Sequence, residues 1–253
     1  MTIHKGIFMR EEKLEYNKEF IDTVESLSQA NHRILITKNG DSVTIKGNNE
    51  ASNFCYTLTA PTALFNQTVD KIAIIDFTRF KKFYEAMSSK TVASTLMVSI
   101  DDQNDATDMI FTNEGRSDKL TLRLGDSSMP TFKASFNTLA EHENDVEGVM
   151  DEDMIEQIQR KISLVGGDYI DVTANDHLLN FCIYTMRSAD KADHPVFLEK
   201  NPTKFFSLKF AAQILNLIPK GKYKMEIDSE GAISLVQERE NGIRLEIMLL
   251  AEE

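Results

Sequence analysis

Two cysteines in 253 residues are too few for a disulfide framework. Both, Cys55 and Cys182, stand in apolar, strand-like text, where a free thiol packs as a small hydrophobe. No apolar run approaches the ~18 residues that span a bilayer, and the opening Met1-Thr2-Ile3-His4-Lys5-Gly6 lacks the apolar core of a signal peptide. The expectation is an intracellular, cytoplasmic protein with no membrane partner, in the host cytoplasm if viral and nuclear only if eukaryotic. Signatures of nucleotide and hydrolase chemistry are missing too: there is no Walker lysine loop, no G-x-G-x-x-G and no G-x-S-x-G elbow. His4, His32, His142, His177 and His194 are scattered, with no Cys or His at metal-ligand spacing. Asp101, Asp102, Asp105 and Asp108 imitate a calcium loop, but Ala106 takes the place of its glycine and Thr112 that of its terminal glutamate, so the stretch reads as a solvated turn. No metal, no cofactor and no catalytic residue is expected, and an enzyme on a duplicated scaffold would need a deep pocket of converging ionisable groups that the sequence does not name.

What is present fits one large domain or two of ~125 residues. Hydrophobic residues at 42% with 27% charged describe an ordinary globular chain. The net charge of -12 argues against a polyanionic partner until its distribution is read. Residues 101–153 hold 14 acids against 4 bases, residues 1–100 hold 11 against 12, and residues 154–253 hold 15 against 12. The acidity is concentrated in the middle, which leaves each end free to present a basic face locally.

On both sides of a polar, aperiodic stretch the same order of elements occurs. In the first half, Phe20, Ile21, Val24 and Leu27 mark one face of a helix over 17–30. A hairpin follows, Ile34 and Ile36 against Val43 and Ile45 around Asn39-Gly40. Strand text at Phe54, Tyr56 and Leu58 and at 72–75 leads to a second helix, 76–88, capped by Asp76 with Phe77, Phe80, Tyr84 and Met87 inward. Strands through Leu96, Val98, Ile100 and through Leu120, Leu122, Leu124 close the half.

In the second half, a helix over 151–163 carries Met154, Ile155, Ile158 and Ile162 on one face and Asp151, Glu152 and Asp153 at its start, where the dipole favours acids. Strands at 169–173, 178–184, 196–198 and 205–208 precede a short helix, 210–218, and three further strands end at Leu249. First helices are offset by 134 residues, second helices by 133 and later strands by 127, as a duplicated unit with altered loops would give. The matching Asn53-Phe54-Cys55 and Asn180-Phe181-Cys182 fall out of that register and are read as coincidence. The reading is α+β: domain 1 over 1–125, a connector over 126–150, domain 2 over 151–253.

With these elements in this order, and with Ile74-Ile75-Asp76-Phe77-Thr78-Arg79-Phe80, Tyr223-Lys224-Met225-Glu226-Ile227 and the C-terminal Ile243 to Glu252 as its best local matches, the chain resembles a DNA polymerase sliding clamp. The type is the two-domain one of proliferating cell nuclear antigen and of tailed-bacteriophage clamps. The resemblance covers nearly all of residues 12–253 and implies two duplicated clamp domains, each with antiparallel sheets outside and two helices inside. Such clamps are homotrimers closed head to tail around duplex DNA, opened by a clamp-loader ATPase, and they tether a DNA polymerase as a processivity factor in replication and repair. The alternative is a ring-type interaction platform, for checkpoint or transcription complexes, that tethers no polymerase.

The resemblance further implies DNA-facing bases at Lys18, Arg79, Lys81, Lys82, Arg160, Lys161 and Lys209, weak enough to let the ring slide and without base readout. Read alone, the same residues are the solvated faces of amphipathic helices. The first helix departs from the pattern, with Glu19, Asp22 and Glu25 outward and only Lys18 basic. A partner-peptide pocket is implied at Met129, Phe132, Pro219, Leu249, Leu250 and Ala251. Asn48 or Asn49 stands where the family has a large apolar residue. Subunit contacts are implied at Leu120, Leu122, Leu124, Val196 and Leu198, on edge strands near 119–125 and 195–200.

Overall fold

The computed structural model describes residues 10–14, 18–64, 69–87, 94–101, 105–113, 118–126 and 144–252, and of Lys18, Glu19 and Ser94 only the backbone. The chain divides into two compact units, Met1–Gly47 with Leu58–Phe132, and Asn48–Thr57 with Lys133–Glu253. In the first repeat the order is β1 (Arg10–Leu14), α1 (Lys18–Ser28), β2 (Ile34–Asn39), β3 (Ser42–Asn48), β4 (Phe54–Pro61), β5 (Lys71–Ile74), α2 (Phe77–Met87), β6 (Ser94–Ile100), β7 (Ala106–Asn113) and β8 (Lys119–Arg123). The second repeat has β9 (Val146–Met150), α3 (Glu152–Val165), β10 (Tyr169–Asn175), β11 (Leu178–Tyr184), β12 (Lys191–Phe197), β13 (Phe206–Ala211), α4 (Ala212–Leu215), β14 (Tyr223–Asp228), β15 (Ala232–Glu238) and β16 (Arg244–Leu250). Element for element the two orders are the same. So are the strand neighbours: β1-β6-β7-β8 answers to β9-β14-β15-β16, and β5-β2-β3-β4 to β13-β10-β11-β12.

Helices form where apolar residues recur at three and four. Phe20, Ile21, Val24 and Leu27 of α1 are buried, as are Met154, Ile155, Ile158 and Ile162 of α3. Asp151 caps α3 by accepting from the Met154 N–H at 2.8 Å, with Glu152 and Asp153 in the first turn; Gly166, at φ 63, ends the helix. In α2 the Asp76 carboxylate accepts from the Arg79 N–H at 2.9 Å. Phe80 and Phe83 pack against Phe111 of β7, with ring centroids 5.6 and 5.8 Å away. Tyr84, expected inward, is half-buried.

The fourth helix is shorter than the predicted 210–218, because Phe206–Ala211 still pairs with β10 as a strand. Three strands carry no sequence expectation: β1, β7, and β9 inside the predicted connector. Of that connector, residues 127–143 lie outside the described residues. Of the imitation of a calcium loop, residues 102–104 lie outside the described residues; Asp101 accepts from the Asp105 N–H at 3.0 Å, and β7 begins at Ala106. Phe54 lies in β4 and Phe181 in β11, so the Asn-Phe-Cys match joins strands that are not counterparts.

The tip of the β3–β4 hairpin belongs to the second unit. Asn49 Oδ1 accepts from the Asn53 and Phe54 N–H groups at 3.1 Å, and Asn48 Nδ2 donates to Asn49 O at 2.8 Å and to Ser52 Oγ at 2.9 Å. These bonds satisfy a turn in which Ser52 takes φ 57. The first half of β4 then lies beside β16, with the Leu250 N–H donating to Asn53 O at 2.9 Å. Contact between the start of β4 and the end of β16 lets the two strands overlap only if they run antiparallel.

One buried carboxylate ties three segments of the second unit together. Asp145 accepts from Thr203 Oγ1 and, at 2.9 Å, from the Ser229 N–H, with Lys204 Nζ at 3.9 Å. Burial by itself would raise its pKa, but the bonds from Ser229 and Thr203, aided by Lys204, outweigh that and hold it below the ordinary value of 3.8. A folded pKa below the unfolded one means the stabilisation is complete above the ordinary value and is lost as pH falls through the lower folded one. Asp145→Asn is therefore expected to lower the melting temperature at pH 7 and to flatten its decline on acidification below pH ~4. Equal acid limbs for both proteins, by calorimetry, would remove Asp145 from this role.

Candidate functional surfaces

The seven bases implied by resemblance end up in different circumstances. On α2, Arg79 and Lys82 are exposed, and the Arg79 guanidinium lies 5.3 Å from the Phe83 ring centroid. Lys81 is held by Glu25 of α1 and, at 3.5 Å, by Glu85, and the hydrogen bond to Glu25 raises its pKa most. On α3, Arg160 is exposed with no ion-pair partner among the described residues. Lys161 instead donates to Asp193 O of β12 at 2.6 Å and lies 3.2 Å from His194 Nδ1. Burial first, then the Lys161 charge, pushes the His194 pKa down, which favours the neutral ring. Lys209 sits in β13 rather than at a helix start, its ammonium 3.8 Å from the Tyr169 ring centroid. The side chain of Lys18 lies outside the described residues. Of the seven, Arg79, Lys82 and Arg160 are exposed, as are the acids Asp22 of α1 and Glu152, Asp153 and Glu156 of α3.

Around the C-terminus the backbone continues its hydrogen bonding past β16. Ala251 N–H donates to Gly231 O and Glu252 N–H to Lys209 O, both at 2.7 Å. With the Leu250 to Asn53 bond, the tail is placed against the hairpin tip, the β14–β15 turn and β13. Leu249 is buried, while Leu250 and Ala251 are half-buried. Gly231, Asn53 and Lys209 thus neighbour the tail; the sequence marked the Asp228–Gly231 turn but not which loops meet there. Pro219 is buried, its carbonyl accepting from Tyr223 OH at 2.7 Å, next to Ile218, whose carbonyl, like that of Leu215, accepts from Gln159. Met129 and Phe132 lie outside the described residues.

The edge strands carry the remaining candidates. Leu122, Leu124 and Leu198 are buried within their own unit, whereas Leu120 and Val196 are half-buried. β8 has β7 on one side and β12 has β11, and no strand among the described residues takes the other side of either. Their counterparts differ sharply. β16 and β4 are neighbours, and from Phe54 to Leu58 β4 is buried on both faces; along β12, Lys191, Asp193, Pro195 and Phe197 are exposed. Phe197, absent from the sequence expectations, is 84% exposed.

Among the described residues no group of three or more His, Cys, Asp or Glu is placed to hold a metal ion, and no helix is long and apolar enough to cross a membrane. Cys55 and Cys182 are free thiols, and burial pushes Cys55 up to about 11.

No protein-family model and no curated protein matches the sequence. Solved structures do match the fold. The PCNA of Thermococcus kodakaraensis aligns with a TM-score of 0.70 at 14% identity, over 96% of this chain and 100% of that one. The PCNA2–PCNA3 complex from Sulfolobus tokodaii aligns at 0.68 and 12%, over 96% and 99%. A. fulgidus PCNA, solved with the C-terminal region of FEN-1, aligns at 0.68 and 14%, over 96% and 99%. This chain has the duplicated clamp fold of those proteins, mixed helix and antiparallel sheet; identity at this level carries the fold alone.

The two adjacent bases of α3 separate by experiment. Lys161→Met is expected to cost about 1 kcal/mol, as an amine bonded to a backbone carbonyl is removed. Arg160→Gln is expected to stay within about 0.5 kcal/mol. Urea unfolding of both variants checks this, and equal losses would contradict the distinction.

Proposed function

We propose that this chain is a DNA polymerase sliding clamp: a non-enzymatic processivity factor whose copies close head to tail into a homotrimeric ring around duplex DNA. The observation that carries the reading is the duplicated fold with one pair of complementary edges used and the equivalent pair open. β16 and β4 lie side by side, while β8 and β12, their counterparts, each keep one edge unpaired among the described residues. A heterologous contact between β8 of one copy and β12 of the next repeats the pairing already made, and such contacts close into a ring when their rotation permits. The number three comes from the resemblance. The PCNA2–PCNA3 complex supports self-association in this fold, and the FEN-1 segment on A. fulgidus PCNA supports the docking of short partner segments. Here such a segment would use the half-buried Leu250 and Ala251, with Met129 and Phe132 from the connector.

A ring holds DNA by topology, so its lining needs only enough positive charge to tolerate phosphates. Arg79, Lys82 and Arg160 suit that requirement, whereas Lys81 is occupied by Glu25. The net charge of -12 opposes long-range attraction, which fits a clamp placed on DNA by a loader ATPase in the cell interior rather than one that finds it by diffusion.

Retention on nicked circular duplex after loading is the test. The wild type is expected to stay on circles in salt and to leave once they are linearised. Lys82→Glu with Arg160→Glu is expected to cut loading severalfold while leaving assembly intact. Equal retention on circular and linear DNA would contradict topological holding, and retention without polymerase stimulation would favour the interaction platform.

A further inference from the structure

We propose that Phe197 and the groove beside it form a seat for Lys119 of the neighbouring copy, closed by a charge pair between that lysine and Glu199. The inference rests on the ring reading above and deepens it. Phe197 is the most exposed large apolar residue described, and it stands directly across from Leu178, itself 37% exposed. On its other side lies a groove of about 430 Å³, floored by Met225, flanked by Val149 and Val196 and rimmed by Glu147 and Glu199. Val149 is 51% exposed. An apolar surface of this kind at the end of an open edge strand marks a contact surface.

Direction and charge identify the occupant as a second copy. The end of β16 meets the start of β4, so antiparallel pairing runs the start of β16 toward the end of β4. Carried to the open counterparts, the start of β8 runs beside the end of β12. The start of β8 is Lys119 and the end of β12 is Phe197, followed by Leu198 and Glu199. Lys119 is exposed and only loosely held, 3.9 Å from Glu11. Its aliphatic stem suits the exposed face of Phe197, and its ammonium suits the carboxylates at the rim. A register shift of two residues keeps the same strand ends and faces together, whereas a shift of one would turn Lys119 away from Phe197.

Sedimentation velocity over a dilution series tests this on the full chain. Phe197→Asp is expected to raise the concentration of half-dissociation about tenfold or more, with an unchanged circular-dichroism spectrum because the side chain is exposed. Lys119→Glu and Glu199→Lys are each expected to weaken assembly, and the double charge swap to recover most of the loss. A Phe197→Asp protein that assembles like the wild type would overturn the seat and leave the groove open to some other protein. A double swap no better than the single changes would overturn the Lys119–Glu199 pair. A wild type that stays monomeric throughout would overturn the ring reading itself, an outcome distinct from both.

Discussion

An open strand edge leaves a row of N–H and C=O groups without partners, and a chain that keeps such an edge must cover it, charge it or pair it with another molecule. Here one duplicated unit meets that constraint in two ways. Where the second half of the chain ends, β16 lies against β4 and the tail carries on bonding to Gly231 and Lys209. Where the first half ends, β8 has the same form and, among the described residues, no strand on its other edge; the same holds for β12 in the place where β4 is covered. The proposed ring follows from using the same pairing twice, once within a chain and once between chains.

Charge is arranged around that architecture rather than creating it. Glu25 occupies Lys81, Glu156 occupies Lys220, and Asp193 with His194 occupies Lys161. Few bases are left free on the helices, which suits a lining that must not pin a phosphate. The asparagines at the β3–β4 tip belong to the same economy of structure. Asn48 and Asn49 bond the turn that presents Asn53 to Leu250, so a polar residue stands where the resemblance called for an apolar one.

The duplication is legible because the apolar residues of α1, α2 and α3 recur at helical spacing and because Asp76 announces α2 and the acids from Asp151 announce α3. Strands embedded in acidic text are not. β9 reads Val-Glu-Gly-Val-Met within a stretch dominated by carboxylates, and β7 begins between Asp105 and Asp108, so neither shows a strand's alternation in the sequence. Fold-level pairing makes them strands, since β9 gains β14 and β7 gains β6 and β8. Of the candidate site, Arg79, Lys82 and Arg160 stand exposed as the helical spacing implied. Lys161 and Lys209 carry contacts that helical spacing does not show, because their partners, Asp193 and Tyr169, are distant in sequence. Phe197 was within reach: period-two alternation puts it on the face opposite Val196 and Leu198.

Amide hydrogen exchange on β8 and β12, measured at concentrations spanning assembly, tests the central claim most directly. The account predicts that amides in 119–123 and 191–197 gain protection together as concentration rises, while those of β16 and β4, already side by side, do not change. Protection that is independent of concentration at both edges, or that appears elsewhere while these edges exchange freely, would contradict pairing between copies.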